Sequence, residues 1–237
     1  MAIARLAETN GADSVTAGNY DISVAAPAST PNAVCVLIAQ DGLATDQVTS
    51  VTYGITTGAV PLTERRFQTE STEPGAVWVY WAAGVTFPGG AQTVRIVRTG
   101  TTSMGAVVCP MTCAVGQQVA VDTDTFGTSV SVANPAWSMV TVDATTECYE
   151  VIHSGLNAMT ATPRTSPVVW TLLTSADVGN FGRGFARTTR TVAGEASPGW
   201  TASTADDFVG ISIAFKEAPL AAPSTGPPIV SMGPPFN

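Results

Sequence analysis

The 237 residues carry 10 Lys and Arg against 18 Asp and Glu, a net charge of −8, and 12% of them are charged, about half the usual share. A phosphate backbone is drawn to clustered cations, and here only Arg65-Arg66 are adjacent, so nucleic acid is not an expected partner. With 45% hydrophobic residues the chain can bury a full core, and no run of 18 apolar residues offers a membrane-spanning helix.

The opening MAIARLAETN has no apolar run long enough for a signal-peptide core, so synthesis in a cytoplasm is expected. From Asn19 to Val24 the pattern has period two: Tyr20, Ile22 and Val24 face one way, Asn19, Asp21 and Ser23 the other. Further strands are predicted at Ala33–Ala39, Val48–Tyr53, Val77–Ala82, Thr93–Arg98 and Met104–Val115. The second half adds Trp137–Val142, Cys148–His153, Val168–Leu173 and Phe185–Thr191. The last strand alternates again, with Val209, Ile211, Ile213 and Phe215 apolar and Gly210, Ser212, Ala214 and Lys216 opposite them.

Turn signals separate these segments at Pro27 and Pro31, Asp41-Gly42, Pro88-Gly89-Gly90, Asn134-Pro135, Gly179-Asn180 and Pro198-Gly199. No segment offers ten residues of helical spacing with caps. The expected fold is an all-β antiparallel sandwich or jelly roll of roughly ten strands, in one domain over residues 1–218.

After Glu217 the composition changes. The stretch PLAAPSTGPPIVSMGPPFN holds six of the 16 prolines and no charge. Proline stays out of central strands and presets extended backbone, so residues 219–237 read as an arm. Ile229, Val230, Met232 and Phe236 are its candidate anchors in a neighbouring subunit's groove; the alternative is a passive tail.

The chemistry-bearing residues are few. His153 is the lone histidine, so any Ser-His-Asp or Cys-His arrangement must use it, and no Gly-x-Ser-x-Gly elbow is present. A histidine at a strand end is more often satisfied or solvated. Cys35, Cys109, Cys113 and Cys148 read as four buried thiols, because Cys109 and Cys113 lack a second zinc ligand pair. Asp122-Thr-Asp-Thr lacks the further ligands of an EF-hand, so Asp122/Asp124, like Asp206/Asp207, read as acids in solvated turns. Phe-Gly-Arg-Gly-Phe (181–185) reads as a turn or bulge and not a phosphate loop. No catalytic residue, metal site or cofactor is expected. Trp78, Tyr80, Trp81 and Trp200 are the candidates for stacking on a sugar ring, set against the core role of large aromatics in sandwiches. In a strand, Trp78 and Tyr80 share a face and Trp81 takes the other.

Val-Thr-Ser-Val-Thr-Tyr-Gly (48–54) with Gly-Ala-Val-Pro-Leu-Thr (58–63) resembles a turn-and-strand pattern of jelly-roll virion proteins of tailed bacteriophages. Val-Trp-Val-Tyr-Trp (77–81), the turn Phe87-Pro88-Gly89-Gly90 and the strands at Gln92–Val97 and Met104–Val115 are similar to its next elements. The closing segment from Val209 to Ala218 resembles its last strand. The likeness spans roughly residues 10 to 218 and lies in turns and strands, and Ile55-Thr-Thr and the cysteines at 109 and 113 depart from it. It implies a non-catalytic virion protein, such as a minor tail protein or a capsid decoration protein. Expected partners are other virion proteins, further copies of the chain and host glycans, with a sugar-binding module as the alternative class. Low charge, with Lys216 the single lysine, suits a subunit packed among neighbours; a secreted Thr-rich protein fits composition equally well.

Overall fold

The computed structural model describes residues 3–42, 45–70, 72, 74–155, 162–163, 165, 168–178, 181–202 and 204–220. Within them the chain is all β. In the first half, strands run over Ala4–Arg5 (β1), Thr9–Asn10 (β2), Gly18–Val24 (β3), Ala33–Asp41 (β4), Val48–Tyr53 (β5), Val60–Glu70 (β6), Gly75–Ala83 (β7), Gln92–Arg98 (β8) and Met104–Thr112 (β9). All nine join one sheet in the order β1-β9-β4-β7-β6-β5-β8-β3, with β2 also on β9.

In the second half, the strands are Gln117–Val132 (β10), Val140–Thr141 (β11), Thr146–Ser154 (β12), Thr162–Pro163 (β13), Thr171–Val178 (β14), Phe181–Arg190 (β15), Gly194–Glu195 (β16), Trp200–Thr201 (β17) and Asp206–Pro219 (β18). Five of them form a second sheet, β10-β18-β12-β15-β14, and the short ones pair as β11–β16 and β13–β17. Each half of the chain therefore builds its own sheet, and the described pairings are antiparallel throughout.

The two sheets pack as a sandwich, and the larger one also curls on itself. That curl explains the long apolar runs in the middle of the sequence. Strands β4, β7 and β9 are covered on both sides, so their alternate residues go to different cores. Val36, Ile38, Trp78, Tyr80, Ala106 and Val108 point into the curl, against Ile22, Tyr53, Val94 and Ile96. Cys35, Leu37, Val77, Val79, Val107 and Cys109 point the other way, against Tyr149, Val151, Phe185, Ile211, Ile213 and Phe215 of the second sheet. A strand with two buried faces cannot alternate apolar with polar, whereas β3, at an edge, does.

A third core covers the outer face of the five-stranded sheet. Trp137, Met139, Trp170 and Trp200 lie there over Cys148, Ile152, Ala186, Phe208 and Ala214. Gly127 and Gly210 face each other across β10 and β18, and a methyl group on Gly210 would sit 2.1 Å from the Trp137 ring. The two glycines leave a flat bed for the indole, whose Nε1 donates to Ser212 Oγ (3.1 Å). Hence the Gly-Ser-Ala face of the last strand is a packed face and not a solvated one.

Several sequence expectations are corrected. Trp137–Val142 is a strand only at Val140–Thr141, because Trp137 serves as a lid over the glycine pair. Val168–Trp170 lies before β14 and drapes over the third core. Gly182-Arg183-Gly184 is inside β15 rather than a turn before it. Asp122 and Asp124 lie in β10, and Asp206 and Asp207 open β18, all held by partners and none in a solvated turn. Ile229, Val230, Met232 and Phe236 lie outside the described residues, as does the Gly179-Asn180 turn.

Candidate functional site

The sandwich has two dissimilar ends. At one, β4 finishes, β7 and β9 begin, β12 finishes and β18 begins. At the other, β7 and β9 finish, β10 begins and β18 leaves the sheet.

The first end is closed by buried polar groups. His153, Asp41 and Arg183 are all within 4% of full burial. His153 Nε2 donates to Asp41 Oδ1 at 2.8 Å. Arg183, opposite His153 across β12 and β15, pairs with Asp13 and donates from Nη1 to Ser103 Oγ at 3.2 Å. Two glycines make room for these large side chains between the sheets. A methyl on Gly75 would lie 2.0 Å from the His153 ring, and one on Gly105 would lie 2.4 Å from Arg183 Nε.

This arrangement splits what a nucleophilic triad must bring together. His153 faces the other sheet, while the next residue, Ser154, faces outward and donates to Asp206 Oδ2. Histidine and serine therefore stand on opposite faces of one strand. His153 is fully buried, so a substrate has no path to its ring without moving the sheets.

Charge elsewhere is also matched internally. The basic pair Arg65 and Arg66 converges on one carboxylate, with Arg65 Nε donating to Asp124 Oδ2 (2.7 Å) and Arg66 Nε to Oδ1 (2.9 Å). The lone lysine, Lys216, pairs with Asp122 at 3.1 Å, and Asp122 Oδ2 accepts from Val142 N at 2.7 Å. A register shift in β10 between Val121 and Thr123 sends Asp122 to the side of Lys216 while Asp124 points at the other sheet. The two acids of Asp-Thr-Asp-Thr thus never share a cation. Among the described residues no cluster of His, Cys, Asp and Glu is arranged to hold a metal.

Along the sandwich flank, Arg5 meets Glu147 (3.1 Å) and Arg187 meets Glu8 (2.9 Å). Burial pushes the Glu147 carboxyl up to about 7, outweighing the pull of Arg5 and the hydrogen bond from Thr189.

Of the aromatics proposed for sugar stacking, Trp78, Tyr80 and Trp200 are core residues, with 0%, 5% and 0% exposure. No ring face of these three is open to a ligand. Trp78 stacks on Phe67 at 5.1 Å and donates from Nε1 to Asp46 Oδ1 (3.0 Å), and the Tyr80 hydroxyl donates to Glu64 (3.0 Å). Trp81 is on the opposite face of β7, as strand geometry requires, and packs against Phe215 at 5.5 Å. Part of it stays exposed, and it lines a shallow hollow of about 340 Å³ with Pro61, Ala83 and Val85. Of the cysteines, all free, Cys35, Cys109 and Cys148 are buried but Cys113 is only half-buried, which corrects the expectation of four buried thiols.

Cys113 belongs to the second, open end. There a groove of about 550 Å³ runs between the turn after β7 and the turn that carries the chain from β9 in one sheet to β10 in the other. The turn closes with Gln117 N donating to Ala114 O (3.0 Å), and Gly116 takes a positive φ of 81°. That geometry lifts Val115 fully into solvent at the tip, where a polar residue is the usual choice. Across from it stands Val85, and Leu220 forms the third exposed apolar wall, the latter two 49% and 53% exposed. Asn32 ties the base together by accepting from Cys113 N (3.0 Å), and Leu220 N donates to Gly116 O at 3.4 Å. None of the lining residues is charged. The groove meets the Trp81 hollow at Val85.

Sequence reasoning missed this groove because it forms where turns from both halves meet. The available signal was a valine in the tight turn Ala-Val-Gly-Gln (114–117).

Compared with protein-family models, with curated proteins and with solved structures, the chain matches none.

Proposed function

We propose that this chain is a non-catalytic structural protein of a tailed-bacteriophage virion, a minor tail protein of the jelly-roll kind that serves tail assembly or host-surface contact. The observation that carries the reading is the contrast of charge along the molecule. Charged side chains are spent on internal pairs, while the end from which the uncharged Pro-rich segment departs presents a groove lined by no charged side chain, with Val85, Val115 and Leu220 exposed among neutral polar residues. A subunit built into an assembly needs such a surface, since apolar patches of this kind mark contact sites. The burial of His153 and its separation from Ser154 support a structural rather than catalytic role. Capsid decoration is the same reading with a different position on the particle.

Mapping the protein in purified particles tests the proposal. Density at the tail supports a minor tail protein, density on the head makes it a decoration protein, and absence from every particle overturns the virion reading.

A second reading, glycan recognition at the host surface, is favoured by one observation: Trp81 keeps an exposed portion beside Pro61 in an open hollow. A glycan array with the native chain and Trp81→Ala decides it. Binding lost in the variant supports the reading, and background signal from both ends it.

A further inference from the structure

Two features of the open end remain to be joined: a groove with exposed apolar walls, and the segment 221–237 that begins where the groove does. We propose that the groove bounded by Val85, Val115 and Leu220 is the receptor for the 221–237 segment of a second copy of this chain. This deepens the virion reading by naming one contact that such a subunit makes.

The chemistry of the two surfaces agrees. The segment has no charged side chain, and neither does the groove. Its apolar residues Ile229, Val230, Met232 and Phe236 are interspersed with prolines, which limit the entropy lost on docking because φ is already fixed. Proline-rich strands of this kind dock in grooves that offer aromatic and apolar walls, and the Trp81–Pro61 hollow continues the groove past Val85.

Geometry favours a second copy over the same chain. Leu220 is itself a wall of the groove, held to the β9–β10 turn through Gly116. At ~3.1 Å per residue, the nine residues from Leu220 to Ile229 can span up to ~28 Å, long enough to reach beyond the groove. That length suffices for the anchors of one copy to meet the groove of the next. The contact is heterologous: it closes into a ring if the rotation allows and otherwise runs on as a chain of subunits.

The test uses the purified full chain, a chain ending at Leu220, the full chain with Val115→Asp and a synthetic peptide of residues 221–237. Sedimentation should show the full chain self-associated, with both the shortened chain and the Val115→Asp chain monomeric. Cys113 is the one cysteine not buried, so maleimide labelling reports on the groove. The peptide should slow labelling of the shortened chain, and Val115→Asp introduced there should weaken peptide binding by about tenfold or more, since a carboxylate would be desolvated without a partner. Three results would overturn the proposal: association that survives both changes, a monomeric full chain whose Cys113 is already protected by its own arm, or a peptide that leaves labelling unchanged. If the shortened chain does not fold, the full-length Val115→Asp protein decides alone. These measurements need no particle, so their failure and the failure of the virion reading are told apart.

Discussion

The two ends of the sandwich solve opposite problems with the same strands. At the closed end, polar groups are brought inside: Asp41 accepts from His153, and buried Arg183 reaches out to the exposed Asp13, with glycines leaving space for the two large side chains. At the open end, apolar side chains are pushed outside: Val115, Val85 and Leu220 stand in solvent around an uncharged groove. A buried, hydrogen-bonded charge contributes little net stability but penalises every alternative pairing, because a one-residue slip would strand it without a partner. An exposed valine contributes nothing to the isolated fold and is useful only to what covers it. The difference teaches where to look for stability and where to look for contact.

The largest effect should come from His153→Ala. It removes the donor to Asp41 Oδ1 and leaves a cavity between the sheets, at an expected cost of about 3 kcal/mol in urea unfolding. A loss below about 0.5 kcal/mol, the range of ordinary surface changes, would mean that the closed end does not hold the sheets together. Gly75→Ala attacks the same end through the backbone. The added methyl collides with the His153 ring, and about 2 kcal/mol of overpacking is expected, also read from urea midpoints.

Glu147 sharpens the comparison, since it is a buried acid towards the open end of β12. Its folded pKa, near 7, lies above the ordinary value of 4.5, so the folded chain binds the extra proton. Its contribution is therefore fully present below about pH 4.5 and is lost as pH rises through 7. Glu147→Gln should flatten that part of the stability–pH profile measured by thermal melting, and an unchanged slope would place the dependence elsewhere. The smallest effect is expected at the tip of the β9–β10 turn. Val115→Asp should alter stability by no more than about 0.5 kcal/mol in the shortened chain, because the side chain touches nothing within its own fold.

Much of the fold was legible in the sequence, and the failures have a common cause. Strands with a buried face announced themselves through their own side chains, as in Tyr20-Asp21-Ile22-Ser23-Val24 and the run from Val209 to Phe215. Two long strands carry little of that signal, one beyond its first residues and one throughout. In Val60–Glu70, Thr-Glu-Arg-Arg-Phe-Gln-Thr-Glu has no apolar alternation, because its arginines reach across to Asp124 and a register shift interrupts it between Glu64 and Arg66. In Gln117–Val132, the edge strand of the second sheet, Gln-Gln-Val-Ala-Val-Asp-Thr-Asp carries little hydrophobic signal. That strand exists because β18 lies beside it along nearly its whole length. Pairing, unlike burial, leaves no mark on a single segment.

The site was less legible than the fold. Val-Trp-Val-Tyr-Trp drew attention for its rings, and alternation correctly separated Trp81 from Trp78 and Tyr80. Yet no local pattern says which side of a doubly covered strand meets solvent, and Val85 and Val115 acquire meaning only when two turns meet in space.

The division of the chain into one sheet per half has a consequence for its birth on the ribosome. When β9 has emerged, the nine-stranded sheet is complete, yet Cys35, Leu37, Val79 and Val107 still face water until β10–β18 arrive. At a synthesis rate of ~5–20 residues per second, the second hundred residues take ~5–20 s to follow. For that interval a nascent chain displays an apolar plateau of the kind that chaperones bind and neighbouring nascent chains stick to. The second sheet is thus also the cover that ends this exposure, and a stall in translation just after β9 has cleared the ribosome would leave the protein at its most vulnerable.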